Sequence, residues 1–212
     1  MTRAWVKRLL MLVVLAGGAL VFGGCSNLAG HAADGLLYPV ADFEPAQAAG
    51  DVVFIPVAFI RQPHELLCGP TSLAMVMAYY GYTGNDEYLD QWSRRPKRVV
   101  KFRELAHDAK DRGFDASLVQ SSEEQLRRWL DQGCPVVVLF PQPWGVDHMM
   151  VAVGYSRARD FWILCDPSRG FRKMPAPRFN TRWAERLRAA MLVLPAKPSR
   201  NAAKPDWTGR PD

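Results

Sequence analysis

The sequence has no CxxC pair and no His/Cys spacing suited to a tetrahedral zinc site, which sets aside zinc-finger and dithiol redox chemistry. It has no GxxxxGKS/T phosphate loop and no run of transmembrane segments, so it carries no ATP site of its own and is not a membrane-spanning transporter. No repeat of fixed period runs through it, which excludes a solenoid. Its basic stretches, residues 94–98 and 182–188, are short and interrupted. They read as solvated surface, and no nucleic-acid partner is expected. Nothing implies a metal or an organic cofactor.

The first 24 residues contain no Asp or Glu, although they hold Arg3, Lys7 and Arg8. Removing them takes the formal charge from +6 to +3. A basic start followed by an apolar run over 9–21 that ends in small residues is the pattern of a secretory signal, and the run is short for a membrane span. Phe22-Gly23-Gly24-Cys25 then resembles the lipobox of bacterial lipoproteins, with Phe22 where an aliphatic residue is usual. The resemblance implies that Cys25 becomes the lipid-bearing first mature residue. Ser26 and Asn27 are not the Asp that retains such proteins in an inner membrane. The implied location is therefore the periplasmic face of an outer membrane, reached by export. An uncleaved signal anchor, with Cys25 a bystander, is the other reading of the same residues.

Four domains of organisation follow: a signal over 1–24, a flexible tether over 25–50, one compact domain over 51–195 and a disordered Pro-containing tail over 196–212. At 49% hydrophobic and 23% charged residues, the chain can bury a core of ordinary size. Within the domain, residues 52–60 predict a strand. Residues 68–80 predict a helix with one buried face, Pro70 in its first turn and Gly81 at its stop. Further helices are expected over 86–92, 101–112 and 122–132, the last capped by Ser121 or Ser122. Apolar β-rich runs at 135–140, 149–155 and 161–165 predict a small antiparallel sheet. A helix near 181–188 and a last strand over 189–194 complete an α+β domain in two lobes.

Chemistry concentrates around Cys68, at the expected start of the 68–80 helix. A helix N-terminus carries partial positive charge and unpaired N–H groups, which favour a thiolate, the nucleophilic form. A buried Cys on a helix can equally be a small hydrophobe. Gln62, six residues earlier, is a candidate amide donor to an oxyanion. Of the four His residues, His31 sits in the tether, His107 on an exposed helix face and His64 in an irregular loop. His148 opens an apolar strand at the rim of the sheet, the best address for a general base. Asp166 ends the following strand and can orient His148. Asp-Pro is also a turn signal, and Asp147 is a competitor that strand alternation turns to the opposite face. Of the remaining cysteines, Cys134 and Cys165 read as buried core thiols, a disulfide between them being the alternative.

Taken together and in order, Gln62, Cys68-Gly69-Pro70, His148 before an apolar strand with Gly154-Tyr155, and Asp166-Pro167 resemble the C39 family of cysteine peptidases. The spacing fits, 80 residues from Cys68 to His148 and 18 more to Asp166, and the likeness spans about residues 56–195. It implies a papain-like fold. It also implies a thiol peptidase with Cys68 as nucleophile, His148 as base, Asp166 as orienter and Gln62 as oxyanion donor, acting on a peptide or protein. Well-known members trim double-glycine leader peptides and are fused to a transporter. This chain lacks that fusion, so an envelope or exported protein is the expected substrate. An acyl-transferring domain, or a non-catalytic peptide-binding factor in assembly or maturation, is the alternative.

Overall fold

The chain enters its sheet at Val53 and leaves it almost at once. In a computed structural model, described over residues 50–142 and 145–196, strand β1 is Val53–Phe54, where the sequence predicts a strand over 52–60. Pro56 has no N–H to give a ladder, and the Val57 N–H turns back to the Ile55 carbonyl at 2.9 Å. The signal segment, Cys25, the tether up to Ala49 and the tail beyond Ala196 lie outside the described residues. β1 can lie on its partner because that partner offers Gly154. A Cβ there would come 2.1 Å from the Val53 carbonyl oxygen.

A short 3-10 turn, Glu65–Leu67, leads into helix α1, Cys68–Tyr79. The predicted single buried face is a correction: every residue from Cys68 to Met77 is buried. A helix apolar on all sides belongs inside a protein rather than on its surface. Tyr80 closes it and Gly81 follows with φ +91°, the left-handed stop that glycine adopts freely. Then come α2, Asn85–Ser93, and α3, Phe102–Asp111. Strand β2, Phe114–Gln120, follows, and then α4, Glu123–Asp131. Ser122 caps α4, accepting from the Gln125 N–H at 3.1 Å.

The rest is mostly sheet: β3, Val136–Pro141; β4, Asp147–Ser156; β5, Phe161–Asp166; β6, Gly170–Pro175. Helix α5, Ala176–Ala184, starts earlier than predicted because Pro177 stands in its first turn, and β7, Ala189–Pro195, closes the domain. The strand order is β2-β7-β3-β4-β5-β6, with β1 on β4, and every pairing is antiparallel. The predicted small sheet thus has seven strands. β2 and β6 are the two that the sequence did not announce.

Helices cover both faces. On β5, Cys165 meets Met75 of α1, with sulfur to sulfur at 3.4 Å. Trp162, of opposite parity and so on the other face, stacks on Phe179 of α5 at 4.7 Å. α1 is pinned to β4 by the Ser72 hydroxyl, which donates to the Met149 carbonyl at 3.1 Å. Among the described residues no helix is long and apolar enough to cross a membrane.

Candidate active site

β4 and β5 are antiparallel neighbours, so the start of one lies beside the end of the other. His148 is the second residue of β4 and Asp166 the last of β5. The Nε2 atom of His148 stands 3.0 Å from Asp166 Oδ1. Alternation sends the preceding residue elsewhere, and Asp147 accepts from Arg186 Nε at 2.5 Å. Asp166, not Asp147, is the carboxylate that the structure brings to His148.

The carboxylate has further partners. Its Oδ1 also accepts from the Ser168 backbone N–H at 2.9 Å and the Ser168 hydroxyl at 2.6 Å. Its Oδ2 accepts from Arg172 Nη1. Asp166 is 1% exposed and Arg172 5%. Burial alone would raise the Asp166 pKa. The hydrogen bond and charge of His148, then Ser168 and Arg172, outweigh it and hold the carboxyl well below the usual carboxylate range. Arg172 is a residue that sequence reading missed. It lies across from Leu164 in the β5–β6 ladder, diagonal to Asp166, within reach for a long side chain. A charged residue at an inward position hides the alternation that would have marked β6.

Cys68 is the first residue of α1, whose first turn contains no acidic side chain. The positive end of the helix is therefore not offset within that turn. The thiol is buried and close enough to the His148 ring for its charge to act on it. Because Nε2 serves Asp166, Nδ1 is the nitrogen left for Cys68. Burial works against a charged His148, but the hydrogen bond that Asp166 accepts from the ring, and the negative charges of Asp166 and Cys68, prevail. They raise the His148 pKa to about 9. Cys68, His148 and Asp166 are thus brought together, with Asp166 bonded to the ring beside the thiol.

The segment before α1 is tied to the turn after Asp166. The Gln62 N–H donates to the Pro167 carbonyl at 2.9 Å, and Arg61 Nη1 to the Ser168 carbonyl at 3.3 Å. Gln62 Nε2 donates to the His64 carbonyl at 3.0 Å, while its Oε1 is buried with no hydrogen-bond partner. An amide nitrogen has two N–H donors, so the one given to His64 leaves a second. The other two described histidines stand apart: His64 is half-buried in the loop and His107 is exposed on α3.

Cys134 and Cys165 are both free thiols. Cys165 is the expected core residue, and burial, with the Asp166 charge beside it, pushes its thiol up to about 12. Cys134 corrects the expectation. It is only half-buried, in the turn between α4 and β3, with Sγ 3.8 Å from the Gln132 carbonyl.

Beside Cys68 a cleft of about 240 Å³ opens between the α1 start, residues 99–102 and the ends of β3 and β4. Gly69 forms part of its floor, and a Cβ there would meet Met149 Sδ at 2.8 Å. Among the described residues, no three His, Cys, Asp or Glu side chains gather as a metal site.

An antiparallel sheet with a buried helix that carries a cysteine at its start, facing a histidine and a carboxylate on adjacent strands, is the layout of a papain-like thiol-peptidase domain. The chain belongs to the Peptidase_C39 like family, whose model matches residues 54–191. Among solved structures it is similar to the peptidase domain of Streptococcus ComA, a bi-functional ABC transporter involved in quorum sensing. That likeness has 24% identity and a TM-score of 0.56, over 66% of this chain and 99% of that one. It is similar also to a double glycine motif protease from an AMS/PCAT transporter, in complex with its leader peptide. Here identity is 20% and the TM-score 0.54, over 68% and 94% of the two chains. A C39-like peptidase from Bacillus anthracis matches at 19% identity and a TM-score of 0.53, over 68% and 98%. At such identities the likeness is one of fold, and the fold is the α+β, papain-like one expected from the sequence. No curated protein matches the sequence.

Proposed function

We propose that this chain is a thiol peptidase that acts through Cys68, His148 and Asp166, and that it works outside the cytoplasm on an envelope or exported protein while held to a membrane by lipid on Cys25. The observation that carries the reading is a buried Cys68 at the start of α1 whose charge acts on the His148 ring, with that ring held by a hydrogen bond to Asp166.

In the reaction, the Cys68 proton passes to His148 and the sulfur attacks a peptide carbonyl. The carbonyl π electrons move to oxygen, where the second Gln62 N–H and the Cys68 backbone N–H stabilise the charge. As the C–N bond breaks, His148 returns the proton to the leaving amine. Water, deprotonated by His148, then attacks the thioester, and Cys68 leaves as the thiol again. Asp166 keeps the ring in register and stabilises its charged form throughout.

The test is limiting iodoacetamide near neutral pH on the full chain, followed by peptide mapping. Cys68 is expected to label ahead of Cys134 and Cys165, and to lose that lead in His148→Ala. Cleavage of a protein substrate that persists in Cys68→Ala would sink the proposal. The anchor has its own readout. The mass of the detergent-extracted chain should fit an acylated Cys25 at the N-terminus, and Cys25→Ser should abolish it. A chain that keeps Met1 and no lipid would remove the anchor and leave the peptidase reading standing.

A further inference from the structure

Thiol chemistry explains the polar side of the site but not the walls of the cleft beside it. Leu139 and Met149, from β3 and β4, and Val100 and Phe102 line its sides. Val99 and Val146, also lining it, are 50% and 38% exposed. An activated thiolate needs charge and hydrogen bonds, not aliphatic side chains left in water. Lone exposed apolar residues are ordinary on a surface, but a concave group of them is the mark of a binding site.

We infer that this cleft is a subsite for one large aliphatic or aromatic side chain of the substrate, adjoining the bond that Cys68 attacks; the inference rests on the thiol-peptidase reading. Size and charge both support it. About 240 Å³ is far more than the roughly 10–15 Å³ that one water needs, so the open cleft holds water against apolar walls. A leucine-sized side chain expels that water and gains the hydrophobic energy of both surfaces. A glycine leaves the cleft wet. Glu65 and Lys101 stand at its edge with opposite charges, and Asp147 is engaged by Arg186. Nothing there favours a substrate side chain of either charge. The cleft therefore suits a substrate with a bulky apolar residue next to the cut, and not a glycine pair.

The test uses four peptide vinyl sulfones on the full chain: acetyl-Gly-Gly, acetyl-Leu-Gly, acetyl-Gly-Leu and acetyl-Asp-Gly. The Cys68 sulfur adds to the double bond, and the carbon next to the sulfone takes the proton from His148. One leucine-bearing probe should label Cys68 about tenfold faster than acetyl-Gly-Gly, or more, the usual discrimination of an apolar pocket. The aspartate probe should gain nothing. Val99→Asp and Val146→Asp, at exposed positions that tolerate a charge, should each bring the leucine-to-glycine ratio toward one. Iodoacetamide, too small to use the cleft, separates the two ideas. Equal rates for all four peptides on a Cys68 that iodoacetamide labels selectively would overturn the subsite alone. No selective labelling by iodoacetamide would overturn the peptidase reading and the subsite with it.

Discussion

Asp166 has four hydrogen bonds in place, from His148, from Ser168 twice and from Arg172. The Gln62 side chain has one, to a carbonyl of its own loop, and its oxygen has none although it is buried. The two lie close in the fold, since the Gln62 backbone is bonded to Pro167. The difference is one of stage. On the sheet side, the ends of β4, β5 and β6 and the turn after Asp166 hold every group before any substrate arrives, as an ionised carboxylate inside a protein requires. On the loop side one Gln62 N–H is uncommitted, which suits the oxyanion role proposed for it.

Removing Asp166 should show the sheet side at its strongest. Asp166→Ala strips a carboxylate from both His148 and the buried Arg172. Breaking a buried ion pair in this way costs about 3–5 kcal/mol, read as a shift in the urea midpoint. A loss below about 1 kcal/mol would mean that the sheet side is no better held than a surface pair. In the same variant the alkaline limb of the activity profile should fall from near 9 toward the ordinary imidazole value, because the carboxylate that raises the His148 pKa is gone.

Gln62→Ala should do the reverse. Stability should change by no more than about 0.5 kcal/mol, as for most partly exposed positions. The rate kcat should drop by about 10²–10³, the usual loss of one oxyanion donor. A large loss of stability with little change in kcat would make Gln62 a loop brace and erase the contrast between the two sides.

The pH dependence of stability follows from the same groups. His148 has a raised pKa, so its contribution is complete below the unfolded value near 6.5 and is lost as pH climbs through about 9. Asp166 is depressed, so its contribution is complete above the ordinary carboxylate value and is lost only as pH falls below it. Stability should therefore be flat between about pH 4 and 6.5 and decline by about 3 kcal/mol toward pH 9. His148→Gln should flatten the alkaline decline. A decline unchanged in that variant would assign it to another group.

These contrasts also explain what could be read from the chain in advance. Cys68, His148 and Asp166 were legible because each ends or starts an apolar run, and runs announce themselves by period. The α1 and α4 boundaries were legible from Gly81 and Ser122, residues whose backbone or side chain does a local job. Arg172 was not, since its role is set by Asp166 across a strand pair and its charge masks the pattern of β6. β2 escaped notice because it lies at the edge of the sheet, where Phe114 and Ala116 are buried but Leu118 is 41% exposed. Burial on one side of so short a stretch leaves little periodic signal. The all-round burial of α1 was hidden for a related reason: small residues such as Gly69, Thr71 and Ser72 look polar or neutral until other elements close over them.

Gly69 lies where α1 packs against β4, beside the strand that carries His148, and it yields the most discriminating effect. A Cβ at that position would stand 2.8 Å from Met149 Sδ on β4 and 2.9 Å from Leu105 Cδ1 on α3. Both atoms are ends of flexible side chains, so the clash can be relieved by a shift. Overpacking costs about 1–3 kcal/mol, and the better helix propensity of alanine returns up to about 1 kcal/mol. Gly69→Ala should therefore lose only about 1–2 kcal/mol, but it should slow iodoacetamide labelling of Cys68, because α1 is pushed from the strand that carries His148. Adding Met149→Ala removes the obstructing sulfur and should return part of that rate. The pair should deviate from additivity in stability by about 0.5–3 kcal/mol, as contacting residues do. Strict additivity would mean that α1 and β4 adjust independently, and that the thiol and the imidazole are aligned by something other than this contact.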